Sequence, residues 1–237
     1  MSATKPKCNQ GESHRSKKAD MITLPNTLLR FFSNEEHAQQ FVAGSIRFGI
    51  LEHYRGIEDV RKDPTEGRSS VFFKADVPVH STGTSLNRYY ILSGSHPEAN
   101  VPRLASKYGR FVVSINNPFE LLERLKAAWK SHALAMPDGV FIAPVEYTKD
   151  ELRDADPLFL TPPHLVYSQK PRVYEEDREY RYLLHCKVDV HREWEPHLTL
   201  MIPSCGDILT TFSVPEDLTR PLNPQDGSHE PLRVARP

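Results

Sequence analysis

Cysteine is scarce, one sign of charge does not dominate, and long apolar runs are missing. Cys8, Cys186 and Cys205 are the only three cysteines in 237 residues. They are too few and too scattered for a disulfide framework, and their odd number fits a reducing compartment, so a cytoplasmic protein is expected. No stretch approaches the roughly 20 apolar residues of a membrane span, and the Lys-rich start "MSATKPKCNQGESHRSKKAD" has no apolar signal core. Lys and Arg total 30 against 31 Asp and Glu, a net charge of -1. The chain therefore has no global basic field to draw in nucleic acid, and any polyanion site must be local. Also missing are a Gly-rich phosphate loop, a nucleophile elbow, HExxH and the kinase motifs. Cys186, His191, His197 and Cys205 lack the close spacing of a zinc site, so no metal is expected.

What is present is the pattern of one folded body. Residues 1–20 read as a disordered leader, and the Pro-rich residues 216–237 as a flexible tail. Between them, residues 21–215 have the size of a single domain. "TLLRFFS" reads as a strand, followed by a helix over "NEEHAQQFVAGS" that Ser33 or Asn34 caps and Gly44 closes. "SIRFGILEHY", "SVFFKAD", "RYYILSGS", "GRFVVSIN", "GVFIAPVEYT", "EYRYLLHCKV" and "HLTLMIPS" carry the β-branched and aromatic content of strands. "PRLASKYG" makes one or two helical turns. "NPFELLERLKAAWKSHA" is the clearest helix, capped by Asn117, with Phe119, Leu122, Leu125, Ala128 and Trp129 as a core stripe. That order predicts an α+β fold of mainly antiparallel sheets with two or three helices.

Three features stand out from ordinary packing. Arg30 interrupts the apolar strand "LLRFF", and a half-buried guanidinium needs an anion unless it lies on a solvent face. Asp63 and Glu66 flank a Pro turn in "KDPTEG". "KPRVYEEDREYR" packs charge, including Glu179, against the mouth of an apolar strand, where a surface ion-pair network is the plainest reading.

Taken in order, "LLRFFS", "KDPTEG", "YYILSGS", "SKYGRFVVSIN", "PVEY" and "KPRVYEEDREYR" resemble a widespread bacterial family of unknown function. That family opens with L-Y-[KR]-[FY]-R-S and closes with K-P-x-x-W-x-x-E-x-E-[YW]-R. Arg30 falls on its first basic position, Asp63, Pro64 and Glu66 on its loop motif, Ser93 on the serine that ends a middle strand, and Tyr108 and Gly109 on a Tyr-Gly pair. Lys170, Pro171, Glu179, Tyr180 and Arg181 fall on the closing motif. Phe32, Lys62, Tyr174 and Asp177 depart from it, standing for a second cation, an Asn, a Trp and a Glu.

The same order of cation, serine and paired acids looks like the layout of mono-ADP-ribosyltransferases. The resemblance implies NAD as substrate, with ADP-ribose transferred to a protein or nucleic acid acceptor, or NAD hydrolysed. It implies Glu179 as the catalytic carboxylate, Asp177 as the group that orients the nucleophile, and a cofactor site of Arg30, Ser93, Tyr90 and Arg181. It also implies a bacterial toxin or phage-defence effector. Two other classes remain open. Arg47, Arg55, Arg61, Lys62 and Arg68, interleaved with Phe48 and Tyr54, suit an RNA- or DNA-binding surface. A non-catalytic partner-binding domain is the third.

Overall fold

The computed structural model describes residues 24–50, 68–73, 79–84, 88–147, 168–187, 194–203 and 205–219. Of the residues named above, Tyr54, Arg55, Arg61, Lys62, Asp63, Pro64, Glu66 and His191 lie outside them. The described residues form ten strands: β1 Leu28–Phe32, β2 Ser45–Ile50, β3 Arg68–Phe73, β4 Val79–Thr84, β5 Arg88–Ser95, β6 Phe111–Ile115, β7 Ala135–Pro144, β8 Glu179–Cys186, β9 His197–Met201 and β10 Leu209–Ser213. The helices are α1 Glu35–Val42, α2 Val101–Tyr108, α3 Pro118–Lys130 and the single turn α4 Glu216–Thr219, with a 3₁₀ helix over Arg172–Asp177. This is an α+β chain with a mostly antiparallel eight-stranded sheet, as the sequence leads one to expect. None of its described helices is long and apolar enough to cross a membrane.

The helices start where short polar side chains satisfy orphan backbone donors. Asn34 accepts from the Glu36 N–H at 2.7 Å, Asn100 from Arg103 at 3.0 Å and Asn117 from Glu120 at 3.0 Å. α3 buries Leu121, Leu122, Leu125 and Trp129, while Phe119 is 60% exposed. The expected stripe holds at Leu122, Leu125, Ala128 and Trp129, and only Phe119 falls off it, about 100° around the helix from the ridge that begins at Pro118. Closing α2, Gly109 donates its N–H to the Ala105 carbonyl and sits at φ 119°. A Cβ there would strike the Phe32 carbonyl and the Ser33 nitrogen. Gly109→Ala is expected to cost about 1–3 kcal/mol from backbone strain alone, before the clash is relieved. An unchanged urea midpoint in that variant would show that the segment shifts freely.

The sheet runs β10-β6-β1-β5-β2-β9, with β8 on the other edge of β5 and β7 beyond β8. β3 and β4 form a separate two-stranded ribbon. β5 is the hinge of this arrangement. One edge pairs with β8 from Arg88↔Cys186 to Ser95↔Glu179. The other edge is divided: β2 takes Tyr90 and Ile91, while β1 takes Ser95. The sheet therefore forks at Leu92 to Gly94, and β1 and β2 part there.

Alternation sorts side chains onto two faces. Leu28, Tyr90, Leu92, Tyr182 and Leu184 pack with Phe41 of α1 and the apolar ridge of α3 in the main core. On the reverse face Leu29 and Val112 meet Ala105 of α2, and Tyr89, Ile91 and Leu183 form a second small cluster.

Candidate functional site: a carboxylate caged at the head of β8

The start of β8 is built by a sharp reversal. Lys170 is fixed by its backbone, which donates to the Glu146 carbonyl at 3.0 Å. Pro171 then opens the 3₁₀ turn, which ends at Asp177. Arg178 follows in left-handed conformation, φ 43° and ψ 51°, and Glu179 begins the strand. The Glu179 N–H is received by the Tyr147 hydroxyl at 2.8 Å, which ties the end of this turn to the segment after β7.

Glu179 is 6% exposed and takes three donors. Ser93 Oγ donates to Oε1 at 2.5 Å, Arg181 Nε donates to the same oxygen at 2.7 Å, and Lys170 Nζ donates to Oε2 at 2.6 Å. Arg181 is itself 1% exposed and Lys170 8%. Burial pushes the Glu179 carboxyl up, but the charges and hydrogen bonds of Arg181 and Lys170 more than offset it and hold the group well below the usual carboxylate range. The carboxylate stays ionised. Tyr147 moves the other way: burial first, and the Glu179 charge second, keep its phenol protonated. Ser93 is half-buried.

Arg30 joins this network at a different atom. Its Nη1 donates to the Ser93 carbonyl at 2.6 Å, inside the fork of the sheet. Arg30 alternates with Leu28 and Phe32 on the main-core side, whereas Leu29 lies on the reverse face. Ser93 is thus shared: its carbonyl meets Arg30 in the fork, and its hydroxyl meets Glu179 on the reverse face. The structure brings Arg30, Ser93, Glu179 and Arg181 into one chain of hydrogen bonds, on three neighbouring strands.

Two expected members fall elsewhere. Asp177 does not share a strand face with Glu179, because the left-handed Arg178 breaks the two-residue repeat between them. Its carboxylate instead accepts from Arg103 at 3.3 Å, Lys107 at 2.8 Å and the Tyr108 hydroxyl at 2.8 Å, all on α2. Tyr90 points away from Ser93, since an odd separation along a strand reverses the face. It is buried in the main core and donates its hydroxyl to the Glu195 carbonyl at 2.8 Å. The alternation of basic and aromatic residues around Arg47 also changes meaning, because Phe48 is buried in the core while Arg47 is exposed.

No protein-family model, curated protein or solved structure matches this chain.

The sequence reading left out Tyr147 and gave Lys170 no task. Lys170 carries a signal, since it lies on the K-P of the closing motif. Tyr147 closes the "PVEY" piece of the same resemblance, and its contact with the head of β8 joins segments 32 residues apart. Among the described residues no group of three or more His, Cys, Asp or Glu side chains is placed to hold a metal. Cys186 and Cys205 are both buried, and burial pushes the Cys205 thiol up, which disfavours the thiolate needed for nucleophilic chemistry.

Proposed function

We propose that the protein is an ADP-ribosyltransferase-like enzyme that uses NAD as substrate and passes ADP-ribose to a macromolecule or to water. The observation that carries this reading is the meeting of Arg30 and Glu179 at one serine, across sequence separations of 63 and 86 residues. A charge-rich surface network would not require all three residues of the resemblance to converge.

In this reading the bond between ribose and nicotinamide breaks, and nicotinamide leaves with the electron pair. The ribose ring is left with oxocarbenium character, which a fixed, ionised carboxylate stabilises. Glu179 supplies that charge. Arg181 and Lys170 keep it deprotonated and aimed, and the ribose approaches past Ser93, the most open of the three donors. Arg30 acts here as a positioning residue through the Ser93 carbonyl. An acceptor hydroxyl or water then bonds to the ribose carbon and releases its proton to solvent. Asp177, committed to α2, takes no part in orienting it.

The test is release of nicotinamide from NAD by the full chain in the presence of whole-cell lysate. Wild type is expected to turn over, and Glu179→Gln to lose at least about a hundredfold, the scale of removing one preorganised electrostatic partner. Near-ultraviolet circular dichroism of the variant separates lost chemistry from lost fold. Folded wild-type protein that releases no nicotinamide would sink the proposal.

A further inference from the structure

The fork that Arg30 fills also opens a cleft of about 460 Å³ between β1 and α1 on one side and β2 and β9 on the other. Its size is that of a small-molecule site. Arg30, Arg47, His37 and His197 all line it, and none of the described residues that line it is a carboxylate. On α1, Glu36 accepts from the side chain of Gln40, one of the lining residues, at 3.1 Å. Such a concentration of cationic and imidazole groups is local in a chain whose charges otherwise balance.

The cleft is shaped as well as charged. Arg47 and Thr199 face each other across β2 and β9, as do Gly49 and His197. The Arg30 guanidinium lies 5.3 Å from the Phe32 ring centre and 5.7 Å from that of Phe41. These rings brace the cation and provide an apolar wall next to it. Two guanidiniums, two imidazoles and the hydroxyls of Ser45 and Thr199 suit a tetrahedral oxyanion with several acceptor oxygens. Ring-lined space beside them suits a flat organic group.

We propose that this cleft binds a phosphomonoester of about mononucleotide size, with its phosphoryl group held by Arg47, His197 and Arg30. Neither Glu179 nor its donors Ser93, Arg181 and Lys170 are among the described residues that line the cleft. The inference therefore does not rest on the transferase reading.

Isothermal titration calorimetry on the full chain tests it, with AMP, adenosine and inorganic phosphate as probes at low and high salt. AMP and phosphate are expected to bind, adenosine to give no measurable heat, and affinity to fall with salt. Arg47→Ala, an exposed change on β2 that spares the core, is expected to weaken AMP at least tenfold. His197→Ala is a second, independent probe and is expected to weaken AMP in the same direction. Glu179→Gln, if folded, keeps AMP binding even where it abolishes nicotinamide release, so the two proposals fail separately. Equal binding of AMP and adenosine, no binding of either AMP or phosphate by folded protein, or unchanged affinity in both Arg47→Ala and His197→Ala would overturn the assignment.

Discussion

Glu179→Ala is expected to lower the stability of the protein by about 3–5 kcal/mol, because it leaves buried cations without their partner. Arg181 and Lys170 both direct their donors at this carboxylate from nearly sealed positions, and Ser93 loses its acceptor. Removing one charge from such a cluster costs more than the cluster contributes, since desolvation of the survivors is no longer offset. Urea unfolding followed by circular dichroism gives the value, and a loss below about 1 kcal/mol, the range of surface pairs, would mean that water reaches the cations. The same cluster sets a pH dependence. The folded-state pKa of Glu179 is depressed below its ordinary value of 4.5, so its contribution is present above that value and is lost as pH falls below it. Wild type should therefore lose stability steeply below about pH 4.5, with a shallower slope in a variant that lacks the carboxylate.

Trp129→Ala is expected to cost about 3–5 kcal/mol, the range for emptying a large aromatic site in a packed core. Trp129 is 1% exposed on the inner ridge of α3, and its ring stacks on His132 at 4.9 Å between centres. Its indole nitrogen has no hydrogen-bond partner among the described residues. A buried donor left without an acceptor costs about 1–3 kcal/mol. Trp129→Phe removes that donor and keeps most of the ring, so its loss should be less than half that of the alanine variant. Equal losses for Phe and Ala in the same denaturation series would show that the indole N–H is satisfied after all.

Strands that bury one clear apolar set were legible from sequence, among them β1, β2, β5, β6 and β8. β10 was not, because it buries only Leu209 and exposes the four residues that follow, so its composition reads as loop. β4, with the sequence VHSTGT, has one β-branched apolar residue and a glycine among polar ones, so its composition also reads as loop. At the site, the order of motifs identified Arg30, Ser93, Glu179 and Arg181 as a group. Two-residue parity already separates Tyr90 from Ser93 and was the available signal for that correction. The placement of Asp177 depended on a left-handed arginine, a conformation that sequence seldom announces outside Gly, Asn and Asp. The cleft was invisible because Arg47, His37 and His197 come together only through the pairing of β2 with β9 and the fork at β5.

β9 and β10 follow one another in the chain yet seat at opposite ends of the path β10-β6-β1-β5-β2-β9. As the polypeptide leaves the ribosome, β2 and β6 are made early, and each carries an open row of backbone donors and acceptors until its late partner emerges. Open strand edges recruit other chains, so the nascent protein passes through a stage in which both flanks of its sheet are exposed to mispairing. The edges of β2 and β6 are covered only once β9 and β10, which ends at Ser213, have been made.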